Sequence, residues 1–359
     1  MLREITIEGF RGIAQGCLKN FSEINVFIGK NQMGKSTILE AIYMAGYLVT
    51  QFDELGRDRV SYIVNRRVRR SHVTYDGLWY QYKTSKPFVI KLYFDEYVLP
   101  IHFVMRQYIE SYVEINDVMF RRAASDWRGG WYYKGRAVNG WVSTSYHKLA
   151  EYMKVDVERL KRTFNYLEKV FLVDSTFSQS FEDIERKIWR KIVINRLDKR
   201  IIKIINESYD LDIEDFTYIP WIKENYYLVA KFPHISIRVD ELGDGIRYAI
   251  AILSAVVTAE NTALLIEEPE NHQHTGALRH LIHAILLLAK ENNLQLFIST
   301  HSLETLQALL EFSEKMQVKL RIYHLLLENG KLLGREIDQI DAKLLTDLGY
   351  DLRTIYKFW

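Results

Sequence analysis

The chain has 359 residues, of which 48% are hydrophobic and 26% are charged, and its formal net charge is +2 at pH 7. This composition is typical of one large or two smaller globular domains, and the near-neutral charge gives no global indication of nucleic-acid binding. The N-terminus lacks the apolar core of a signal peptide, and no run approaches the ~18 consecutive apolar residues of a membrane span. A single cysteine, Cys17, excludes an internal disulfide. We therefore expect a cytoplasmic protein without membrane association.

The N-terminal half begins with short predicted strands at residues 5–7 and 24–28, and the second leads directly into a glycine loop. "STILEAIYMAGYLV" then has the apolar spacing of a helix. Three aromatic-rich stretches alternate apolar and polar residues, which predicts antiparallel strands and hairpins. They are "VTYDGLWYQYKTS", "FVIKLYFDEYVLPIHFVM" and "GGWYYKGRAVNGWVS", with predicted turns at Asp76-Gly77 and Gly129-Gly130.

The second half changes from helical to alternating patterns. Apolar residues recur at helical spacing over residues 146–169 and 181–209, which predicts two long helices. A helix after Gly245, the strand "ALLIEE", the helix "GALRHLIHAILLLAK" and the strand "LQLFIST" follow. A helix from Leu303 and the strand "KLRIYHLLLE" complete the series. Strands that alternate with helices indicate an α/β fold with a mainly parallel sheet covered on both faces.

The segment "GKNQMGKST" matches the phosphate-loop pattern GxxxxGK[ST] without a mismatch. It lies between a predicted strand and a predicted helix, which is the context of a true phosphate loop. The glycines allow backbone N–H groups to surround a polyphosphate, and the helix N-terminus adds positive potential. We expect Lys35 to reach the β- and γ-phosphates and the Ser36 hydroxyl to ligate Mg²⁺. The predicted nucleotide-binding residues are Gly29, Lys30, Asn31, Gln32, Met33, Gly34, Lys35, Ser36 and Thr37.

The strand "ALLIEE" ends in Glu267 and Glu268, and the neighbouring strand "LFIST" leads to His301. A phosphate loop requires a carboxylate for Mg²⁺ and, in hydrolases, a group that positions water. Ligands of open α/β sheets collect at the carboxyl edge where these residues lie. The alternative is a transition-metal site, but adjacent strand residues point to opposite faces, which favours the acidic pair. That metal site would use Glu267, Glu268, Glu270, His272 and His274.

Four segments in order, "INVFIGKNQMGKST", "LGDGIR", "LLIEEPENHQH" and "FISTHS", together resemble ABC-type AAA ATPases of the RecF/SMC/OLD-like branch, in the stand-alone form without a nuclease domain. "ITIEGFRGI" and "LGYDLR" are similar to that branch's opening and closing segments. The resemblance implies a P-loop NTPase fold of ABC-ATPase type, with a mainly parallel sheet flanked by helices, an antiparallel β subdomain and an inserted helical lobe. The ATPase domain is then expected in two parts, residues 1–55 and 233–359, around a β-rich subdomain at 56–145 and the helical lobe at 146–232.

The resemblance also implies roles for individual residues. Glu267 matches the Walker B carboxylate on the metal side, and Glu268 the general base that positions the attacking water. His301 matches the switch histidine that contacts the γ-phosphate, and Lys35 completes this catalytic set. Arg11 matches an arginine of the branch that lies near the nucleotide.

The tract Gly243, Asp244, Gly245 falls where the branch has the signature that closes over ATP bound to a partner subunit. Two positions depart from the family pattern. Glu267 stands where aspartate is usual, and Gly243 replaces the signature serine. The glutamine that usually follows the first lobe has Gln179 as its candidate.

Two arginine-rich tracts suggest nucleic-acid contact, because arginines bind phosphates and aromatic rings stack on bases. The alternative is a solvated charged face and the cross-strand aromatic pairs of a hairpin. The first tract consists of Arg66, Arg67, Arg69 and Arg70, together with Arg57 and Arg59. The second consists of Arg121, Arg122, Trp127, Arg128, Trp131, Tyr132 and Tyr133.

The expected function is Mg²⁺-dependent ATP hydrolysis by an ATP-dependent homodimer. Its closing motion would act on nucleic acid or on a separate nuclease or effector protein, in DNA repair, genome maintenance or defence. Because the chain ends soon after the last ATPase element, we expect any cutting activity to come from another polypeptide. The alternative is a slow or inactive ATP-gated binding module, which the two departures favour. A transporter subunit fits the inserted lobe poorly.

Overall fold

The computed structural model describes residues 1–67, 74–95, 97–122, 131–135, 141–177, 181–220 and 226–354. The strands in these residues are β1 (Leu2–Phe10), β2 (Ile13–Leu18), β3 (Ile24–Ile28), β4 (Phe88–Phe94), β5 (Tyr97–Met105), β6 (Ile109–Ile115), β7 (Val118–Arg122), β8 (Trp131–Lys134), β9 (Val142–Thr144), β10 (Phe171–Val173), β11 (Asp215–Pro220), β12 (Tyr226–Lys231), β13 (Ser236–Arg238), β14 (Ala263–Glu267), β15 (Gln295–Ser299), β16 (Leu320–Glu328) and β17 (Lys331–Asp338). The helices are α1 (Lys35–Ala45), α2 (Arg59–Asn65), α3 (Tyr146–Met153), α4 (Val157–Glu168), α5 (Phe181–Ile184), α6 (Arg190–Ile194), α7 (Asp198–Tyr209), α8 (Asp244–Thr258), α9 (Thr275–Glu291), α10 (Leu303–Lys315) and α11 (Gln339–Asp347).

A single large sheet joins strands from both ends of the chain in the order β10-β14-β15-β3-β16-β17-β2-β1-β4-β5-β6-β7-β8-β9. The neighbouring strands β10, β14, β15, β3 and β16 are parallel to one another. By contrast, β1 and β4 to β9 pair antiparallel. The predicted α/β fold, with a parallel sheet and an antiparallel β part, is confirmed. Strands β11, β12 and β13 form a second, small antiparallel sheet.

Strand β3 shows why the parallel sheet is covered on both faces. All five of its residues are buried. Successive side chains of a strand point to opposite faces. Accordingly Val26 and Ile28 pack in the core that contains α8 and α9, whereas Phe27 packs in the core that contains α1. The phosphate loop thus follows a strand held rigidly between two helical layers.

The stretch "VTYDGLWYQYKTS" was predicted to form antiparallel strands of a hairpin with a turn at Asp76-Gly77. In its described residues 74–85 a turn does form at Asp76-Gly77, but the prediction of strands is wrong. Tyr75–Leu78 and Tyr80–Tyr82 form 3₁₀ turns. Trp79 is buried between them, and its indole N–H donates to the Lys86 carbonyl at 2.8 Å. Trp79 therefore packs into the core from between two turns, whereas Tyr82 is exposed, and no strand ladder forms in these described residues. The hairpin predicted next forms as β4 and β5, and the Gly129-Gly130 turn lies outside the described residues.

The two long helices predicted over residues 146–169 and 181–209 are each interrupted. Lys154 takes a left-handed conformation (φ 54°) that ends α3, and the Asp156 side chain caps the start of α4. Arg196 (φ 58°) lies in the break between α6 and α7. Local capping therefore breaks an apolar periodicity that continues through each break.

Candidate functional site

Three strand ends lie in one row at the carboxyl edge of the parallel sheet. Glu267 of β14 is in register with Ser299 of β15, which is in register with Phe27 of β3. The residues that follow these strand ends therefore share one edge. This register brings the phosphate loop, Glu268 and His301 to one edge of the sheet.

The phosphate loop begins with a residue that must be glycine. Gly29 has φ +139°, and a Cβ there would lie 2.7 Å from the backbone oxygen of Leu325 on β16. The side chains of Lys30, Asn31 and Gln32 are exposed. The loop backbone is thus pressed against the sheet while its tip faces solvent.

Lys35 crosses this loop. Its Nζ donates to the carbonyl of Gly29 at 2.9 Å and to the carbonyl of Lys30 at 3.0 Å. Burial lowers the pKa of Lys35 to about 8, and the carboxylates of Glu268 and Glu267 oppose that shift. The lysine is therefore an ammonium at pH 7, close to the acidic strand end.

The remaining loop residues differ in what their side chains offer a ligand. The Met33 sulfur accepts from the Leu327 N–H at 3.3 Å, so this side chain holds the loop against β16. Ser36 is half-buried and Thr37 is buried in the first turn of α1. The Ser36 hydroxyl thus lies in the first turn of α1, directly after Lys35.

Glu268 turns away from the strand that carries Glu267. Its φ of 50° is uncommon for a residue other than glycine, and its N–H donates to the Ser299 carbonyl at 2.8 Å. Its half-exposed carboxylate places Oε1 3.3 Å from Nε2 of His301. Burial and the Lys35 ammonium lower the pKa of His301, so the imidazole is neutral at pH 7. The two predicted catalytic side chains therefore face each other.

Glu270 fixes the loop that carries His301, a role that sequence reasoning missed. Its Oε1 accepts from Thr300 Oγ1 at 2.7 Å and from the N–H groups of His301 at 2.9 Å and Ser302 at 3.2 Å. Its Oε2 accepts from Thr305 Oγ1 at 3.2 Å. The motif places Glu270 two residues beyond Glu268, but nothing in the motif shows where its carboxylate points.

The alternative of a transition-metal site at these residues finds no support in this geometry. His274 caps α9 by accepting from the Gly276 N–H at 3.4 Å, and the exposed His272 lies edge-on to the Tyr248 ring. Glu270 is engaged by the His301 loop. In the part of the chain that the structure describes, no group of three or more His, Cys, Asp or Glu side chains is arranged to hold a metal ion.

Arg66 contacts Glu267, which sequence reasoning also missed. Its guanidinium donates to Glu267 Oε2, lies 2.9 Å from Asp174 and lies 3.4 Å from Glu40. Burial lowers the pKa of Arg66, but the Asp174, Glu267 and Glu40 carboxylates together raise it above its usual value. Only 9% of this side chain is exposed, so Arg66 is part of the site and not of a nucleic-acid surface.

Arg11 also contacts the helix that follows the phosphate loop. Its Nε donates to Glu40 at 3.1 Å and its Nη2 to the Ile63 carbonyl at 2.7 Å. Glu40 is completely buried on α1. Burial is the main cause that lowers the pKa of Arg11, and the Glu40 carboxylate opposes it. Arg11 therefore joins α1, through Glu40, to the carbonyl of Ile63 on α2.

The nucleic-acid interpretation of Arg57 and Arg59 is wrong, because both are buried. Arg57 donates to Asp53 at 2.7 Å. Arg59 donates to the carbonyls of Glu168 and Val170. Both side chains thus join the loop after α1 to the chain around β10. Arg69 and Arg70 lie outside the described residues.

The second arginine-rich tract is mostly hairpin packing in its described part. Trp131 is 2% exposed and stacks on Phe164 at 5.0 Å, so it belongs to the core. Arg121 and Arg122 lie opposite Tyr132 and Trp131 in the β7–β8 ladder. In the same ladder Phe120 and Tyr133 form a cross-strand aromatic pair with ring centroids 6.2 Å apart, as in the alternative given above. Trp127 and Arg128 lie outside the described residues, as does Gln179.

The predicted signature tract begins α8 and is tied to the acidic strand end. Gly243 and Asp244 are exposed, whereas a Cβ at Gly245 would lie 2.5 Å from the His272 carbonyl oxygen. The Gly245 carbonyl accepts from Gln273 Nε2 at 3.0 Å. One turn later, the Tyr248 hydroxyl donates to the Glu267 carbonyl at 3.1 Å. The start of α8 and the loop after β14 thus form one packed unit.

The model of the AAA ATPase domain matches residues 1–168 and 174–305. The chain belongs to the AAA ATPase domain family. Among the described residues of this family member, no helix is long and apolar enough to cross a membrane.

Relatives of this AAA ATPase domain protein include an ATP/GTP phosphatase of Helicobacter pylori, 21% identical over 339 residues, which cover 86% of this chain and 87% of that protein. An uncharacterized protein of Methanocaldococcus jannaschii is 29% identical over 113 residues, which cover 31% of this chain and 99% of that protein. The Smc head domain of Pyrococcus furiosus, solved with an extended coiled coil and bound to the C-terminal domain of ScpA, superposes with a TM-score of 0.50 at 12% identity, over 97% of this chain and 99% of that one. This chain therefore shares the fold of the Smc head domain, which agrees with the predicted ABC-ATPase type of fold.

Proposed function

We propose that the protein hydrolyses ATP to ADP and phosphate with Mg²⁺. The observation that carries the proposal is the row of strand ends that brings Lys35, Glu268 and His301 to one sheet edge. Family membership supports the same activity, and so does the relative named as an ATP/GTP phosphatase. Phosphoryl transfer depends mainly on positioning and charge stabilisation, which this set of residues supplies.

The oxygen donors at the site fit Mg²⁺. This ion prefers oxygen ligands and is held by one or two carboxylates together with waters and substrate phosphates. Glu267 supplies a carboxylate at the strand end, and Ser36 supplies a hydroxyl at the start of α1. When bound there, the ion would neutralise charge on the phosphates and orient them.

The protein's own groups divide the remaining work. The Lys35 ammonium binds the phosphate oxygens that accumulate negative charge. The Glu268 carboxylate orients the attacking water and receives its proton while the new P–O bond forms and the bond to the ADP oxygen breaks. The neutral His301 imidazole lies beside Glu268 and donates a hydrogen bond to the γ-phosphate. These roles follow the phosphoryl-transfer pattern, in which little covalent chemistry is asked of the protein.

We further propose that ATP closes two copies of the chain head to tail. The start of α8 supports this arrangement because Gly243 and Asp244 are exposed, and the helix N-terminus attracts anions. The closing motion would act on nucleic acid or on a separate nuclease or effector protein. The Pyrococcus furiosus Smc head, which shares this fold, was solved bound to a domain of another protein.

Steady-state phosphate release tests the proposal. Glu268→Gln should lower the rate by about 10²–10⁴-fold, because the base is lost while the shape of the side chain is kept. The same variant should still bind ATP and accumulate dimers on size exclusion. Glu260→Gln changes an exposed carboxylate just beyond α8 and serves as the matched control.

An unchanged rate in Glu268→Gln would overturn the assignment of the base. A wild-type chain that binds ATP and dimerises without releasing phosphate would instead be an ATP-gated binding module. The glycine at position 243, in place of the serine usual in the family that the sequence resembles, favours this second function. Phosphate release measured with and without DNA separates the two.

A further inference from the structure

Glu267 has one methylene more than aspartate, and so its carboxylate has an additional rotatable bond. A flexible carboxylate loses conformational entropy when it is fixed in one place. In the structure this carboxylate is 12% exposed, and its Oε2 accepts a hydrogen bond from the Arg66 guanidinium. The longer side chain is thus held by a partner from a distant part of the chain.

Arg66 is itself held on two sides by buried carboxylates. Its Nε lies 2.9 Å from Asp174 Oδ2, and its Nη1 lies 3.4 Å from Glu40 Oε1. Both carboxylates are completely buried. A planar guanidinium has five N–H donors in a rigid fork, so it can contact three carboxylates at once.

Each of those two carboxylates is fixed by further contacts. Asp174 accepts from the Tyr62 hydroxyl at 2.9 Å and from Thr176 Oγ1 at 2.7 Å. Glu40 accepts from Arg11 at 3.1 Å and from Arg67 at 2.8 Å. Asp174 and Glu40 therefore fix the position of Arg66 independently of its contact with Glu267.

The contact between Arg66 and Glu267 joins two parts of the proposed nucleotide site. Glu40 lies on α1, the helix that begins with Lys35 of the phosphate loop. Asp174 directly follows β10, whose last residue is in register with Ile266 of β14. Arg66 thus connects the helix of the phosphate loop to the end of the acidic strand.

We propose that Arg66 is a positioning residue that holds the Glu267 carboxylate for Mg²⁺. The hydrogen bond at Oε2 fixes the carboxylate and directs Oε1 to the metal ion or to one of its waters. Arg66 thereby compensates for the added methylene and allows glutamate to serve where aspartate is usual in the family that the sequence resembles. This inference rests on the proposed ATPase function.

The test measures binding of a fluorescent ATP analogue in the Glu268→Gln background while Mg²⁺ is titrated. Arg66→Lys keeps the positive charge but cannot contact three carboxylates at once. It should raise the half-saturating Mg²⁺ concentration about tenfold, as loss of an outer-shell partner does at metal sites. Binding of the analogue without Mg²⁺ should stay within about twofold, because phosphate contacts to the loop are retained.

Arg67→Lys is the matched control, because Arg67 also donates to Glu40 but lies on the exposed side. Its half-saturating Mg²⁺ concentration should equal that of the parent. A second pair of variants combines each lysine substitution with Glu267→Asp, whose shorter side chain no longer reaches Arg66. In that background Arg66→Lys should change the Mg²⁺ requirement less than about twofold, since coupling requires contact.

An unchanged or lowered Mg²⁺ requirement in Arg66→Lys would overturn the inference, and the lowered value would show that Arg66 competes with the metal ion. If the Glu268→Gln parent binds no analogue at any Mg²⁺ concentration, the proposed function fails and the inference fails with it. A parent that binds normally, with a variant that shows no shift, removes the inference alone. Thermal unfolding of each variant confirms that the folded proteins are being compared.

Discussion

Glu268 Oε1 and His301 Nε2 lie 3.3 Å apart, although the two residues come from different strands of the sheet. The contact exists because β14 and β15 end in the same row and because Glu268 leaves the strand with a positive φ. Glu270 holds the backbone of His301 from the same loop. The distance between the two catalytic candidates is therefore set by backbone register and by the partly buried carboxylate of Glu270.

Substitution of Glu270 should weaken this arrangement. Glu270→Ala leaves the His301 N–H without its acceptor and removes one of the two acceptors of the Ser302 N–H, and a donor left unpaired costs about 1–3 kcal/mol when it is buried. We expect a loss of stability of that size in chemical denaturation, together with slower phosphate release. Glu304→Gln is the control, because its carboxylate accepts from the Ser302 hydroxyl at the same helix start and does not contact the His301 N–H in the described residues. Equal stability of the two variants would contradict the role given to Glu270.

The affinity for ATP should fall at alkaline pH. Burial lowers the pKa of Lys35 to about 8 in the free protein, so the ammonium is complete below that pH and is lost as the pH rises through it. Because bound phosphate requires the charged form, the affinity should fall by up to about tenfold per pH unit above pH 8. Binding of a fluorescent ATP analogue from pH 6.5 to 9.5 measures the profile. Lys35→Arg, which stays charged over this range, should flatten it, and a flat wild-type profile would contradict the assignment.

Two glycines at the start of α8 should respond differently to alanine. At Gly245 a Cβ would lie 2.5 Å from the His272 carbonyl oxygen, so the helix start or the loop must shift, at a cost of about 1–3 kcal/mol. At Gly243 nothing lies within 4 Å of the same atom, so the free energy of unfolding should change by less than about 0.5 kcal/mol. Urea unfolding compares the two. We also expect Gly245→Ala to reduce ATP-dependent dimerisation, which size exclusion measures. Normal dimerisation of this variant would show that the start of α8 is not part of the dimer interface.

Arg59 should prove to be a structural residue. It is completely buried and donates to the carbonyls of Tyr43, Glu168 and Val170. Arg59→Met should cost about 2–6 kcal/mol, since the Glu168 and Val170 carbonyls lose their arginine donor and each buried acceptor left unpaired costs about 1–3 kcal/mol. Arg200→Met removes an exposed arginine paired with Glu291 and should cost no more than about 1 kcal/mol. A stable Arg59→Met protein with weakened DNA binding would restore the nucleic-acid interpretation.

Sequence patterns predicted the parts of the site that are contiguous in the chain. The phosphate loop is recognisable because Gly29, Gly34 and Lys35 must recur at fixed spacing for the backbone to surround phosphate. The acidic pair is recognisable because a buried apolar strand ends in two carboxylates. The aromatic stretch around Trp79 was wrongly predicted as a strand, because alternation alone does not distinguish a ladder from rings packed by turns.

The phosphate-loop motif, the acidic strand end and the alternation of strands and helices after Gly245 could be predicted from the sequence, because each depends on neighbours within a few residues. The tertiary structure was needed to show that Arg66 contacts Glu267, 201 positions away in the chain, and that Arg57 and Arg59 are buried. An arginine in a basic run looks the same in sequence whether it faces solvent or three carboxylates. Arg66 faces the carboxylates because β10 and β14 are adjacent in the sheet. That pairing places Asp174 beside Glu267 and leaves a buried negative charge that Arg66 neutralises.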